Sequence, residues 1–135
     1  MPFPDITLAT QTIHNPSEPR HYMRLRPITS HIRVLRQGQV LAETDKAVRM
    51  IEVARDVYDP VTYVPIADIS SALSPVPNKT THCPLKGDAH YFSVAGEDPI
   101  AWTYDEPLPF AQELAGLVAF YADQVTVEEI GPNNS

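Results

Sequence analysis

A chain of 135 residues with 43% hydrophobic and 20% charged residues has the size and composition of one globular domain. Its 14 prolines against 5 glycines exclude a bundle of long helices, because proline lacks an N–H and clashes inside a helix. A net charge of −7, from 10 basic and 17 acidic residues, argues against nucleic acid as the main partner, since that binding rests on Lys and Arg neutralising phosphates.

Residues 1–30 carry Pro2, Pro4, Pro16, Pro19 and Pro27 and read as an extended Pro-rich N-terminal arm that wraps the domain or frays from it, and that in a homodimer would exchange between protomers. From His31 the texture changes. Ile32 and Val34, the turn Gln37-Gly38-Gln39, then Val40 to Ala42 read as strand, turn and strand. Residues 45–57 fit two states. Asp45 can cap a helix with Ala47, Met50, Ile51 and Ala54 at helical spacing, yet Val48, Ile51, Val53 and Val57 are β-branched and suit a strand. Pro60 and Pro65 bracket an extended piece around Tyr63, which they favour as an edge. Residues 74–80 have loop composition.

Residues 89–95 alternate, Gly96-Glu97-Asp98 turns, and residues 100–104 return as a hairpin. Period-2 counting puts Ile100, Trp102 and Tyr104 on one face. Pro107 and Pro109 lead into a helical turn at 110–114, and residues 118–127 form a last strand. The domain at 31–127 is therefore mainly β, with one or two short helical turns, and 128–135 is a polar tail. Cys83 is the only cysteine, so no internal disulfide is available. The longest apolar run, residues 114–122, has nine residues, far below the ~20 of a membrane span. With no leader pattern at its start, the sequence reads as a soluble, cytoplasmic chain with no membrane partner.

Chemistry concentrates in residues 80–92, Thr-Thr-His-Cys-Pro-Leu-Lys-Gly-Asp-Ala-His-Tyr-Phe. Cys83 is either a small packing residue or a nucleophile whose thiol is lowered by Lys86 or His82. Lys86 either pins the loop through Asp88, Asp105 or Glu106, or enters a pocket to hold an acidic ligand or exchange protons. The rings of Tyr63, Tyr91, Trp102, Tyr104, Phe120 and Tyr121 suit a core, with two or three hydroxyls left for a pocket. Arg20, Arg24, Arg26, Arg33 and Arg36 crowd into 17 residues; Arg33 or Arg36 is the candidate second cation. One cysteine cannot provide the paired-cysteine ligands of a closed structural zinc site, and His82, Cys83 and His90 could in principle make only a three-ligand catalytic one; neither a metal nor a cofactor is expected.

Three ordered motifs carry a resemblance: residues 80–92, then Ala101-Trp102-Thr103-Tyr104-Asp105-Glu106-Pro107, then Gly116-Leu117-Val118-Ala119-Phe120-Tyr121. Together with Arg33-Val34, Gly38-Gln39-Val40, Tyr63-Val64-Pro65 and Asp68-Ile69, they make residues 31–127 closely resemble the domain of unknown function 427. The resemblance implies a single small open barrel or β-tent of the Mss4 type, and makes 47–53 strand rather than helix. That family is also labelled nucleotidyltransferase-like. Such chemistry needs paired carboxylates for Mg²⁺, and the sequence has no D-x-D, no Gly-Ser and no G-x-x-x-x-G-K-[ST] phosphate loop.

The reading that follows is a small-molecule-binding β domain, leaning towards an acid–base enzyme acting on a small anionic or aromatic metabolite. Lys86, Cys83 and Tyr91 are its candidate catalytic residues. Arg33, Arg36, Tyr63, Thr81, Gly87, Trp102 and Tyr104 are its candidate ligand contacts. The alternatives are a nucleotide-binding nucleotidyltransferase and a non-catalytic oligomeric module.

Overall fold

Alternation of apolar and polar residues builds eleven strands in the computed structural model, which describes residues 12–131. They are β1 (Ile13–Asn15), β2 (Glu18–Pro27), β3 (His31–Arg36), β4 (Gln39–Thr44), β5 (Val48–Val53), β6 (Val61–Pro65), β7 (Leu73–Cys83), β8 (Gly87–Val94), β9 (Pro99–Thr103), β10 (Leu117–Phe120) and β11 (Thr126–Ile130). Two 3₁₀ turns, Ile66–Asp68 and Pro109–Leu114, interrupt them. All ladders are antiparallel. Eight strands form one sheet in the order β1-β2-β5-β6-β10-β9-β8-β7, and β11-β3-β4 form a second. The protein is mainly β, and neither sheet closes into a barrel.

Period 2 splits the central strands between two cores. On β6, Val64 joins Ile32, Val34 and Leu41 between the two sheets, while Tyr63 joins Met23, Met50 and Leu114 on the other face of the larger sheet. On β10, Val118 and Phe120 go to the first core and Ala119 to the second. Ile100 departs from the face expected for it. A bulge where Phe92 pairs Ala101 and Ser93 pairs Pro99 inserts one residue, so Ile100 enters the first core while Trp102 and Tyr104 stay with the second.

Residues 13–27 lie in β1 and β2 of the larger sheet; residues 1–11 and 132–135 lie outside the described residues. Within 45–57, β5 is the strand that the resemblance implies. Three segments differ from their sequence reading. Residues 74–80 belong to β7 rather than to a loop. The Tyr63 strand is interior, between β5 and β10; Pro60 precedes it and Pro65 ends it, so no interior N–H is lost. Residues 118–127 divide between β10 and β11, in different sheets. Among the described residues no helix is long and apolar enough to cross a membrane.

The outer face of the smaller sheet carries interleaved charges. His31 Nε2 meets Glu43 at 2.7 Å and its Nδ1 meets Asp45 at 2.6 Å, while Arg33 reaches both Glu43 and Glu128. The hydrogen bond to Glu43, then that to Asp45, hold the His31 pKa above its ordinary 6.5. The imidazolium is therefore favoured by folding, and its contribution is complete below pH 6.5 and lost as pH rises through the raised value. The melting-temperature gap between wild type and His31→Gln should be wider at pH 5.5 than at pH 8.5. A gap independent of pH would mean that the ring acts through packing alone.

Candidate functional site

The turn between β7 and β8 is fastened from three sides. Leu85 is plugged into the second core. Asn15 Nδ2 donates to the Pro84 carbonyl at 3.4 Å, and the Leu108 N–H donates to the Lys86 carbonyl at 2.9 Å. Gly87 has φ of +117°, and a Cβ there would sit 3.2 Å from both the Glu106 carbonyl oxygen and the Leu108 nitrogen. Only glycine accepts that backbone and that approach. Its role in the geometry is to let the 106–108 segment lie against the turn and fix where Lys86 starts.

From this turn Lys86 runs inward, 9% exposed, and its Nζ donates to Glu52 Oε1 at 2.5 Å. The other carboxylate oxygen meets His21 Nε2 at 2.7 Å. Glu52 lies on β5, four strand steps from β8 in the sheet order, which in a flat sheet would separate them by about 19 Å. Their contact therefore requires the eight-stranded sheet to curl strongly, bringing the β7–β8 turn back towards β1 and β2. Burial pushes the Glu52 carboxyl up, but the hydrogen bonds to Lys86 and His21 outweigh it and hold its pKa below the ordinary 4.5. Glu52 is thus a carboxylate at neutral pH. A carboxylate only accepts, so the His21 proton facing it sits on Nε2.

Beside this chain lies a row of side chains in register across four neighbouring strands: Tyr63 of β6, Ala119 of β10, Trp102 of β9 and Tyr91 of β8. The small Ala119 leaves room for Tyr63 and Trp102 to meet edge to face, with ring centroids 6.5 Å apart. Trp102 also leans on Tyr121 at 5.0 Å. The Tyr91 hydroxyl hydrogen-bonds Thr81 Oγ1 at 2.6 Å, and the Lys79 ammonium stands 4.6 Å from the centre of its ring. Burial above all, and after it the Glu52 carboxylate, raises the phenol pKa of both Tyr63 and Tyr104. Both phenols are neutral donors at any physiological pH. Among the described residues the Tyr104 hydroxyl makes no hydrogen bond, and no polar side-chain atom sealed from solvent lacks a partner.

Of the residues singled out from sequence, Lys86, Cys83, Gly87, Tyr63, Tyr91, Trp102 and Tyr104 gather at this turn and face, with Thr81 attached through Tyr91. Arg33 and Arg36 do not join them. They belong to the smaller sheet, where Arg33 is held by Glu43 and Glu128 and Arg36 by Glu97 at 2.7 Å. None of the three acids expected to pin Lys86 does so: Asp88 is engaged by His82 at 2.8 Å, Asp105 by His90 at 2.9 Å, and Lys86 pairs with Glu52 instead of Glu106. Among the described residues no three His, Cys, Asp or Glu side chains converge as a metal site.

Glu52 and His21 escaped the sequence reading. Each has a signal that depends on knowing the strand: Glu52 is two residues from buried Met50, and His21 two from buried Met23, so each polar group shares the parity of a core residue. Outside this chain, Glu18, Arg20, His21, Ala54, Arg55 and Pro84 line a cleft of about 600 Å³. His21 thus stands between the cleft and the buried Glu52–Lys86 pair. Residues 24–131 match a family model described as a domain of unknown function, DUF427. No curated protein matches the chain.

Proposed function

The chain belongs to the DUF427 family, and from that footing we propose that it binds a small anionic molecule beside Lys86 and moves a proton to or from it. The observation that carries this reading is the His21–Glu52–Lys86 chain itself, with side-chain exposures of 20%, 14% and 11%. Burying an ion pair is a poor way to stabilise a core, since apolar side chains of similar volume do as well or better. Ionisable groups held together out of water are instead a common mark of a working site, and His21 at the end of this chain lines a cleft.

In this reading Lys86 supplies positive charge, Glu52 holds it in place, and Tyr104 offers an unspent donor hydroxyl. Trp102, partly exposed and backed by the buried Tyr63, forms an apolar wall for the rest of the molecule. Cys83 ends β7 one residue before Pro84, is half-buried, and packs against the core cluster that holds Tyr63 and Tyr104, which makes it part of the lining. Nucleotidyl transfer has less support, because Glu52, the carboxylate at this site, is already held by Lys86 and His21.

Native mass spectrometry of the purified full chain tests the reading. Wild type should carry a small adduct released by collisional activation, and Lys86→Met should lose it while unfolding cooperatively, since Glu52 keeps His21. Equal adduct in the two proteins would overturn the assignment of Lys86.

A further inference from the structure

Among the described residues Arg20 and Arg55, like Arg24 and Arg26, lack a strong partner. Arg33, Arg36 and Arg49 are each held by a glutamate at 3.0 Å or closer. Arg55 makes no ion pair among the described residues. Its neighbour Asp56 is spent locally, accepting the Val57 N–H at 2.8 Å. The loop that presents Arg55 is tight: the Ala54 N–H donates to the Asp56 carbonyl at 2.9 Å, the Tyr58 N–H to the Glu52 carbonyl at 3.0 Å, and Val53 bridges Val57. Among the described residues Arg20 is met only by Glu18 at 3.5 Å, with side-chain exposures of 90% and 54%, an exposed pair of little energetic weight that a ligand can replace.

Arg55 and Arg20 both border the same cleft, Arg20 reaching its rim from the face of β2 opposite to His21, and His21 stands between the cleft and the buried pair. Its volume of about 600 Å³ suits a small molecule. His21 spends Nε2 on Glu52, so Nδ1 is the ring atom left for a ligand. On a chain of net charge −7, two cations and an imidazole against the single acid Glu18 form a local positive pocket. Guanidinium forks match the paired oxygens of carboxylates, phosphates and sulfates.

We infer that this cleft is an oxyanion subsite, in which Arg55 and Arg20 hold the charged end of the ligand and His21 Nδ1 makes the third polar contact. The inference rests on the small-anion reading of the Lys86 site and extends it to a second anchoring point. Glu18, Arg20 and His21 precede the matched residues 24–131, so the β2 side of the cleft lies outside the part of the chain shared with the family.

Thermal unfolding and calorimetric titration of the full chain with sodium sulfate and with sodium benzoate, at constant ionic strength, test it. Sulfate reports a tetrahedral anion and benzoate a planar carboxylate, and the tighter of the two identifies the ligand class. Arg55→Gln is expected to weaken the tighter anion at least tenfold. Arg26→Gln, in a separate groove with Arg24 and Glu113, should bind as wild type does. Unchanged affinity in Arg55→Gln, or an equal loss in Arg26→Gln, would overturn the subsite. Lys86→Met separates the two proposals: wild-type anion affinity there supports an independent cleft, whatever becomes of the adduct seen by mass spectrometry.

Discussion

Replacing Glu52 with alanine is expected to destabilise the protein by about 3–5 kcal/mol in urea unfolding, as removal of one member of a buried ion pair does. Lys86→Met should cost clearly less. The difference lies in what each substitution leaves behind. Without Glu52, a buried ammonium and a half-buried imidazole lose their shared acceptor at once. Without Lys86, the carboxylate still has His21. The double variant Glu52→Gln with Lys86→Met should recover much of the loss, because no uncompensated charge remains. The Glu52 contribution also has a pH signature. Its folded pKa is lowered, so the contribution is complete above about pH 4.5, the ordinary value, and disappears as pH falls through the folded value. Wild type and Glu52→Ala should therefore converge in stability on acidification. A Glu52→Ala cost no larger than that of Lys86→Met would remove His21 from the coupled chain.

Local patterns in the sequence were legible, and long-range pairings were not. The β8–β9 hairpin and the β3–β4 pair could be read because alternation and turn residues lie within a dozen positions of each other. Residues 118–127 read as one strand because the turn at 122–124 contains neither glycine nor proline; only the pairing of β11 with β3 reveals the change of sheet. Proline misled twice. Pro75 and Pro77 suggested a loop, but β7 is the sheet's outer strand, where missing donors are tolerated, and its pairing skips from Pro75 to Thr80. Pro16, Pro19 and Pro27 hid the alternation of β2, in which Arg20, Tyr22, Arg24 and Arg26 share one face and His21, Met23 and Leu25 the other.

The same division holds for the site. Lys86 stood out because its context is local: a Cys-Pro before it, a glycine after it and aromatic residues beyond. Glu52 lies 34 positions upstream, in the segment whose own residues fitted helix and strand equally. No periodicity connects the two, since their contact is made by the curl of the eight-stranded sheet. The proline excess that excluded helices is satisfied by outer strands, strand ends and turns, and Pro84 sits at the turn that this curl brings to Asn15.

Tyr104 separates packing from binding most cleanly. The ring is 7% exposed and part of the second core, so Tyr104→Ala is expected to cost about 3–5 kcal/mol, as large-to-small changes of buried aromatics do. Tyr104→Phe removes one oxygen. With no hydrogen-bond partner for that oxygen among the described residues, the change should stay within about 1 kcal/mol of wild type, since no protein donor or acceptor is orphaned. If the hydroxyl is a ligand contact, the phenylalanine variant should nevertheless lose most of the adduct that wild type carries. Stability kept and ligand lost assigns the hydroxyl to the pocket. Stability lost by about 1–3 kcal/mol, the cost of an orphaned buried partner, would instead make the hydroxyl a structural group and leave Lys86 as the sole polar anchor on that side of the site.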